Sequence, residues 1–294
     1  QAMKSASILT NRLTKELWNT KLCRIKPTYV LENKTLIYKI VTDAEDPKLF
    51  QLPQGVPQGV PHGVVEKRNW AMLFSSLPPA SMIKGDDETC DDSKKSKVQM
   101  YIADGVSELF TASATSAPSS SSPAGVYMEC SKKEMDEKNW IPFTTSQQAT
   151  HFVYSISPHV ILTGRPADGT CIKTYTSTSF QPLEILAEKI GASKIRGSAT
   201  ALKFGLNRYL GLIHTKTKIG RGYTTMAYMF SDVPPYEIVA ISRPLPLSGS
   251  GLAFPSGLTV LNQEKKILIT FGVADAQSRI MVLSRESLRD LFIW

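Results

Sequence analysis

Cysteine is scarce and unpatterned in this chain. Cys23, Cys90, Cys130 and Cys171 form no Cys-x-x-Cys pair and show no paired histidine spacing. A zinc site or a disulfide framework is therefore not expected. Scattered free thiols fit a reducing compartment, so a cytoplasmic location is the expectation. Long apolar runs are missing too. No run of eighteen apolar residues occurs, which excludes a hydrophobic transmembrane helix. Lys4, Arg12, Lys15 and Glu16 interrupt every apolar run near the start, so no secretory signal is expected there; Gln1-Ala2 ahead of Met3 are set aside. Helical periodicity is rare. Basic clusters with interleaved aromatics are absent, and nucleic-acid binding is not expected.

Hydrophobic residues make up 42% of the 294 residues and charged residues 20%, enough for a sizeable core. The net charge of +8 favours anionic ligands such as phosphate or a nucleotide sugar. Part of the excess, Lys94-Lys95, Lys97 and Lys132-Lys133, reads as solvated loops.

Short strands dominate the pattern: 35–41, 70–74, 150–155, 209–214, 223–230 and 266–271, each rich in β-branched or aromatic residues. Short helices are expected at 10–22, 182–190 and 284–291, the last capped by Ser284. Many short strands suggest an all-β sandwich, barrel or propeller, and a chain this long favours a five-bladed β-propeller of roughly 60 residues per blade. A single domain over 3–294 is expected, with low-complexity or loop insertions at about 52–64, 84–97 and 111–125.

Glu45-Asp46-Pro47-Lys48-Leu49-Phe50 places two carboxylates before a proline. The proline biases Asp46 toward extended backbone. Neighbours on an extended chain face opposite ways, so the segment can present one acid. Taken alone, a solvated acidic turn is the better reading. Downstream, polar residues recur at strand ends. Arg196 precedes a run of small residues that lets the backbone approach a ligand. Its guanidinium can grip an anion by a bidentate fork. His214-Thr215-Lys216 ends an apolar strand, Arg221-Gly222-Tyr223 enters another, and Asp275 follows a third. Each has a bland counterpart: a structural histidine, a solvated lysine, a turn aspartate bonding its own backbone. Glu137-Lys138-Asn139-Trp140 is equally an ordinary loop with a buried tryptophan.

The ordered series Glu-Asp-Pro-Lys-Leu-Phe, Glu-Lys-Asn-Trp-x-Pro-Phe, Arg-Gly-Ser-Ala-Thr, Leu-Gly-Leu-Ile-His and Phe-Gly-Val-Ala-Asp, from about Glu45 to Leu288, resembles the five-bladed mannoside phosphorylases of glycoside hydrolase family 130. More closely it resembles the Leishmania-type β-1,2-mannosyltransferase/phosphorylases of glycosyltransferase family 108. The resemblance implies a central-pocket active site. It implies Asp46 as the catalytic acid, Asp275, Lys138 and Tyr223 as substrate-binding residues, and Arg196, His214 and Lys216 as the phosphate site. Lys48 stands where the family has arginine, which keeps the charge and loses the fork. No cofactor or metal is implied. The implied partners are mannose oligosaccharides, phosphate or mannose 1-phosphate, and GDP-mannose, with no nucleic acid and no membrane.

One acid suffices if phosphate is the nucleophile. Ordinary glycosidases need two carboxylates. Phosphate is already an anion and needs only a cationic cradle that orients it and offsets charge repulsion. The expected activity is inverting mannogen phosphorolysis or mannosyl transfer. The alternatives are a phosphate-independent β-mannosidase and a non-catalytic glycan-binding propeller.

Overall fold

The computed structural model describes residues 45–51, 70–76, 99–103, 126–130, 138–145, 149–217, 222–247, 252–261, 265–274 and 277–293. The predicted strand 35–41, the predicted helix 10–22 and all three predicted insertions lie outside these residues. The chain is mostly β with few helices, and divides into two compact units. Unit 1 comprises Gln1–Lys138, Ser146–Thr150 and Gly164–Cys171; unit 2 comprises Asn139–Thr145, His151–Thr163 and Ile172–Trp294.

Unit 1 holds an antiparallel sheet of β1 (Glu45–Gln51), β2 (Trp70–Ser76), β3 (Gln99–Ala103) and β4 (Val126–Tyr127), in that order. β1 is the segment that opens with the two carboxylates. Its register slips between Glu45, opposite Ser75, and Lys48, opposite Leu73, so three steps on β1 match two on β2. That extra residue is a β-bulge, and Pro47 sits within it. Proline has no N–H to give to a ladder and is tolerated in a sheet at such a bulge. Strict alternation of faces from Asp46 to Lys48 is thereby broken. Lys48 is buried.

Unit 1 also corrects the thiol expectation. Cys130 and Cys171 form a disulfide with Cα atoms 5.6 Å apart. The adjoining backbones are tied by Glu129 N–H donating to Gly169 O at 3.0 Å. The partners are 41 residues apart, so no local spacing announces them. With this pair bonded, scattered thiols no longer argue for a reducing compartment.

The other strands, nearly all within unit 2, are β5 (Ile141–Thr144), β6 (Thr150–Ser155), β7 (His159–Gly164), β8 (Cys171–Ser177), β9 (Ala192–Gly197), β10 (Leu202–Lys203), β11 (Arg208–Thr217), β12 (Tyr223–Ser231), β13 (Ile238–Ser242), β14 (Ala253–Leu261), β15 (Lys266–Val273), β16 (Gln277–Ser284) and β17 (Phe292–Ile293). They form three sheets: β5-β6-β7-β8, then β10-β11-β12-β13-β17 with β9 also on β11, then β14-β15-β16. The predicted strands at 150–155, 209–214, 223–230 and 266–271 all fall on observed ones.

Two helices lie among the described residues. α1 (Gln181–Lys189) buries Leu183 and Leu186. It stops at Gly191, whose φ of 63° is the left-handed conformation that favours glycine after a helix. α2 (Arg285–Arg289) is capped as expected, with Ser287 N–H donating to Ser284 Oγ at 3.0 Å.

The alternation of β11 and β12 divides the unit 2 core in two. Leu210, Leu212, Ala227 and Met229 face a cluster containing Leu258, Ile267, Ile269 and Phe271 of β14 and β15. Tyr209, Ile213, Met226, Tyr228 and Phe230 face the other way, into a cluster with Ile141, Phe143, Val153 and Ile161 of β5, β6 and β7. The central sheet is thus buried on both faces. Gly211 marks the tightness of the second face: a Cβ there would lie 2.5 Å from Tyr228 Cε1.

Candidate functional site

Pairing in the central sheet gathers four of the predicted residues. His214 on β11 lies opposite Arg196 on β9 and Thr225 on β12. Lys216 lies opposite Tyr223. Directly opposed residues in an antiparallel pair share a face, as do residues two apart on one strand. Arg196, His214, Lys216, Thr225 and Tyr223 therefore all project from the face that carries Leu210 and Leu212. They stand where that apolar stripe runs out toward the end of β11.

His214 is buried at 4% exposure and fixed on several sides. Its Nδ1 is 2.8 Å from Ser198 Oγ. Its ring meets Tyr223 edge to face at 5.2 Å between centroids, and Phe254 of β14 at 4.9 Å. Tyr223 and Phe254 meet each other at 6.0 Å. Lys216 Nζ sits 5.7 Å from the centre of the Tyr223 ring, a cation–π contact at the outer rim. Phe254 directly precedes a second bulge, between Pro255 opposite Phe271 and Gly257 opposite Thr270. Thr225 Oγ1 is buried, with no hydrogen-bond partner among the described residues. Arg196 is half-buried.

The first residue of the small-residue run after Arg196 lies against the chain itself. A Cβ on Gly197 would lie 2.3 Å from Asn139 O and 2.4 Å from Ile141 Cγ1. Gly197 is needed because the Asn139 backbone, itself at φ 67°, crosses there. Trp140 beside it is fully buried, as the loop reading expected.

The other predicted residues fall elsewhere. Asp46 is on β1 and Lys138 is half-buried before Asn139, both in unit 1. Asp275 lies outside the described residues. Sequence reasoning passed over Ser198, Thr225 and Phe254 as members of this group. Ser198 was within reach as the serine of Arg-Gly-Ser, whereas Phe254 is joined to the group only by packing between sheets.

The second core face carries its own histidines. His151 Nδ1 is 2.8 Å from Thr163 Oγ1, and its Nε2 is 3.3 Å from the Tyr236 hydroxyl. Burial pushes its pKa down, against a hydrogen bond with the Leu162 backbone. His159 is fully buried with Nδ1 2.8 Å from Tyr236 O. Burial pushes its pKa down to about 4, and the bond to Tyr236 pulls weakly the other way. This face is lined by aromatic rings, and Lys203 Nζ lies 5.5 Å from the centre of the Tyr209 ring.

Among the described residues no three His, Cys, Asp or Glu side chains gather as a metal site, and no helix is long and apolar enough to cross a membrane. No protein-family model matches the chain, and no curated protein does. Among solved structures it is similar to a proposed glycoside hydrolase from Parabacteroides distasonis, at 13% identity and TM-score 0.48, over 84% of this chain and 68% of that one. It is similar to a glycosyl hydrolase from Bacteroides ovatus, at 10% identity and TM-score 0.48, over 83% and 65%. It is also similar to a structure from the GH130 family of mannoside phosphorylases, described as containing glycoside hydrolases that target β-1,2 mannosidic linkages in Candida mannan, at 9% identity and TM-score 0.49, over 83% and 66%. The chain thus spans about two thirds of the length of each.

Proposed function

We propose that the protein is an inverting β-1,2-mannan phosphorylase that also runs as a mannosyltransferase, and that it folds as a five-bladed β-propeller. The observation that carries the activity is the shared face of Arg196, His214, Lys216 and Tyr223. A lysine and an imidazole contact the Tyr223 ring and a guanidinium-bearing residue lies opposite the imidazole, which suits a phosphate beside a sugar. Arg196 supplies a planar fork for two phosphate oxygens. His214 supplies a positioned ring N–H, and Lys216 a point charge at the rim.

In the forward direction a phosphate oxygen forms a bond to the anomeric carbon as the bond from that carbon to the glycosidic oxygen breaks. The departing oxygen takes a proton from Asp46, directly or through a sugar hydroxyl. The products are α-mannose 1-phosphate and a chain one mannose shorter. In reverse, mannose 1-phosphate gives its mannosyl group to a growing chain, and GDP-mannose is a second donor if its diphosphate fits the same cradle. Asp275 and Lys138 take the role of sugar-hydroxyl partners.

The test is incubation of the protein with β-1,2-mannobiose or longer oligomers, with and without phosphate. Phosphate-dependent formation of α-mannose 1-phosphate is expected. Asp46→Asn should be inert beside an active parent. Release of free mannose without phosphate would point to a hydrolase, and binding without turnover to a glycan-binding module; either defeats the proposal.

A further inference from the structure

The Cys130–Cys171 bond joins the turn after β4 to the first residue of β8, and both cysteines belong to unit 1. Three further features hold the same two segments together. Glu129 N–H donates to Gly169 O at 3.0 Å. A Cβ on Gly169 would lie 2.0 Å from Tyr127 O, so the two backbones touch there. Cys130 N–H donates to Cys171 Sγ at 3.0 Å. The sulfurs therefore stay neighbours when the bond between them is cut. Both cysteines are half-buried and within reach of a small solute. The Cys130 N–H makes the two sulfurs unequal. A disulfide opens when a thiolate attacks one sulfur and expels the other, and the better stabilised thiolate leaves faster. In the bonded state Cys171 Sγ is a weak acceptor. Once expelled it carries a full negative charge, and the same N–H becomes a charge-assisted donor.

We infer that this disulfide is a thiol-exchange site that opens in one direction: a small thiol such as glutathione is taken up on Cys130, and Cys171 is the leaving and resolving thiolate. The glutathione thiolate forms a bond to Cys130 Sγ. The Cys130–Cys171 bond breaks, and its electron pair goes to Cys171 Sγ beside the Cys130 N–H. The exchange needs no other oxidant or reductant. In reverse, the Cys171 thiolate attacks Cys130 Sγ, expels glutathione and restores the bond, because the backbone ties between the segments remain. This inference is independent of the proposed phosphate site.

The test exposes the full, oxidised chain briefly to glutathione, stops the reaction with excess N-ethylmaleimide and maps the peptides by mass spectrometry. Mapping keeps Cys23 and Cys90 apart from this pair. Glutathione on Cys130 with maleimide on Cys171 should exceed the reverse arrangement about fivefold, since a hydrogen bond to a charged leaving group favours its departure. In strong urea, which removes the fold and the N–H contact with it, the two arrangements should approach equal amounts. An equal or reversed distribution in the native protein overturns the inference. A bias that persists in urea overturns it too, because local sequence and not the fold then sets the direction. Maleimide on both cysteines before any glutathione is added shows that the bond is not there, and a bond that takes up no glutathione is not an exchange site; either result ends the proposal.

Discussion

The two faces of the central sheet in unit 2 use histidine in opposite ways. On the face toward β5–β8, His151 and His159 are enclosed by Phe143, Tyr228, Phe230 and Tyr236, with ring centroids 5.3 to 6.0 Å apart. Burial there favours the neutral ring. On the face toward β14–β16, His214 stands at the end of the apolar stripe, among Arg196, Lys216, a serine hydroxyl and two aromatic edges. The backbone is the same pair of strands in both cases. What differs is the company and not the burial, since His214 and His151 are 4% and 5% exposed: aromatic rings surround the first pair, and charged side chains stand beside His214 on its strands. The first arrangement makes histidine a core residue, and the second sets it beside the cations on which the proposed phosphate site rests.

Truncation should separate the two faces most clearly. Phe143 touches His151, Tyr209, Phe230 and Tyr236 with centroids 5.0 to 5.4 Å apart and is 1% exposed. Phe143→Ala should cost about 3–5 kcal/mol of unfolding free energy in denaturant titration. On the other face, Arg196→Ala should lower phosphorolysis by roughly 10²–10³-fold, the usual loss for one preorganised donor to developing charge. Its unfolding free energy should fall by only about 1 kcal/mol, well short of Phe143→Ala, because the residue is half-buried. Arg196→Lys should not restore the rate, because the ammonium lacks the fork. A stability loss at Arg196 equal to that at Phe143 would erase the distinction between the faces.

Acid should reveal the aromatic face as well. An unfolded histidine takes its proton near 6.5, whereas His159 in the folded chain takes it at about 4. Between those values the unfolded chain binds a proton that the native one does not. The stability contributed is present above pH 6.5 and is lost as pH falls toward 4, by about 3 kcal/mol. His151, also pushed down, adds in the same direction. Urea midpoints across this range should fall more steeply for the parent than for His159→Leu. Parallel curves would show that His159 is not the buried neutral base.

Much of this contrast was legible in the chain, though unevenly. Strand β6 was readable to its last residue, and Ser284 announced its helix, because period and cap are local signals. The pairing of Arg196 with His214, and of Ser198 with the same ring, was not. Those contacts depend on register between strands joined through β10 and two turns, and no local pattern encodes register. Cys130–Cys171 failed for the same reason. At Gly197 the sequence correctly signalled a close approach but not its partner, since a glycine serves a ligand and a crossing backbone alike. The bulge at Pro47 was half-visible: the proline argued for extended chain, while the extra residue appears only once β2 lies beside it.

The smallest effect lies at the rim of the His214 face, where the contrast is sharpest per atom. Lys216 Nζ rests over the Tyr223 ring at 5.7 Å, and the residue is exposed. An exposed cation–π pair contributes about 0.5–1 kcal/mol, so it orients the lysine more than it stabilises the sheet. Lys216→Ala should therefore leave unfolding nearly unchanged and weaken phosphate binding only a few-fold, more at low salt than at high salt, because exposed charge is screened. Tyr223→Leu, which keeps bulk but removes the ring face, should reproduce most of that loss if the ring aims the ammonium. If Tyr223→Leu binds phosphate as the parent does while Lys216→Ala does not, the lysine acts as a bare surface charge. The built part of that face would then end at His214.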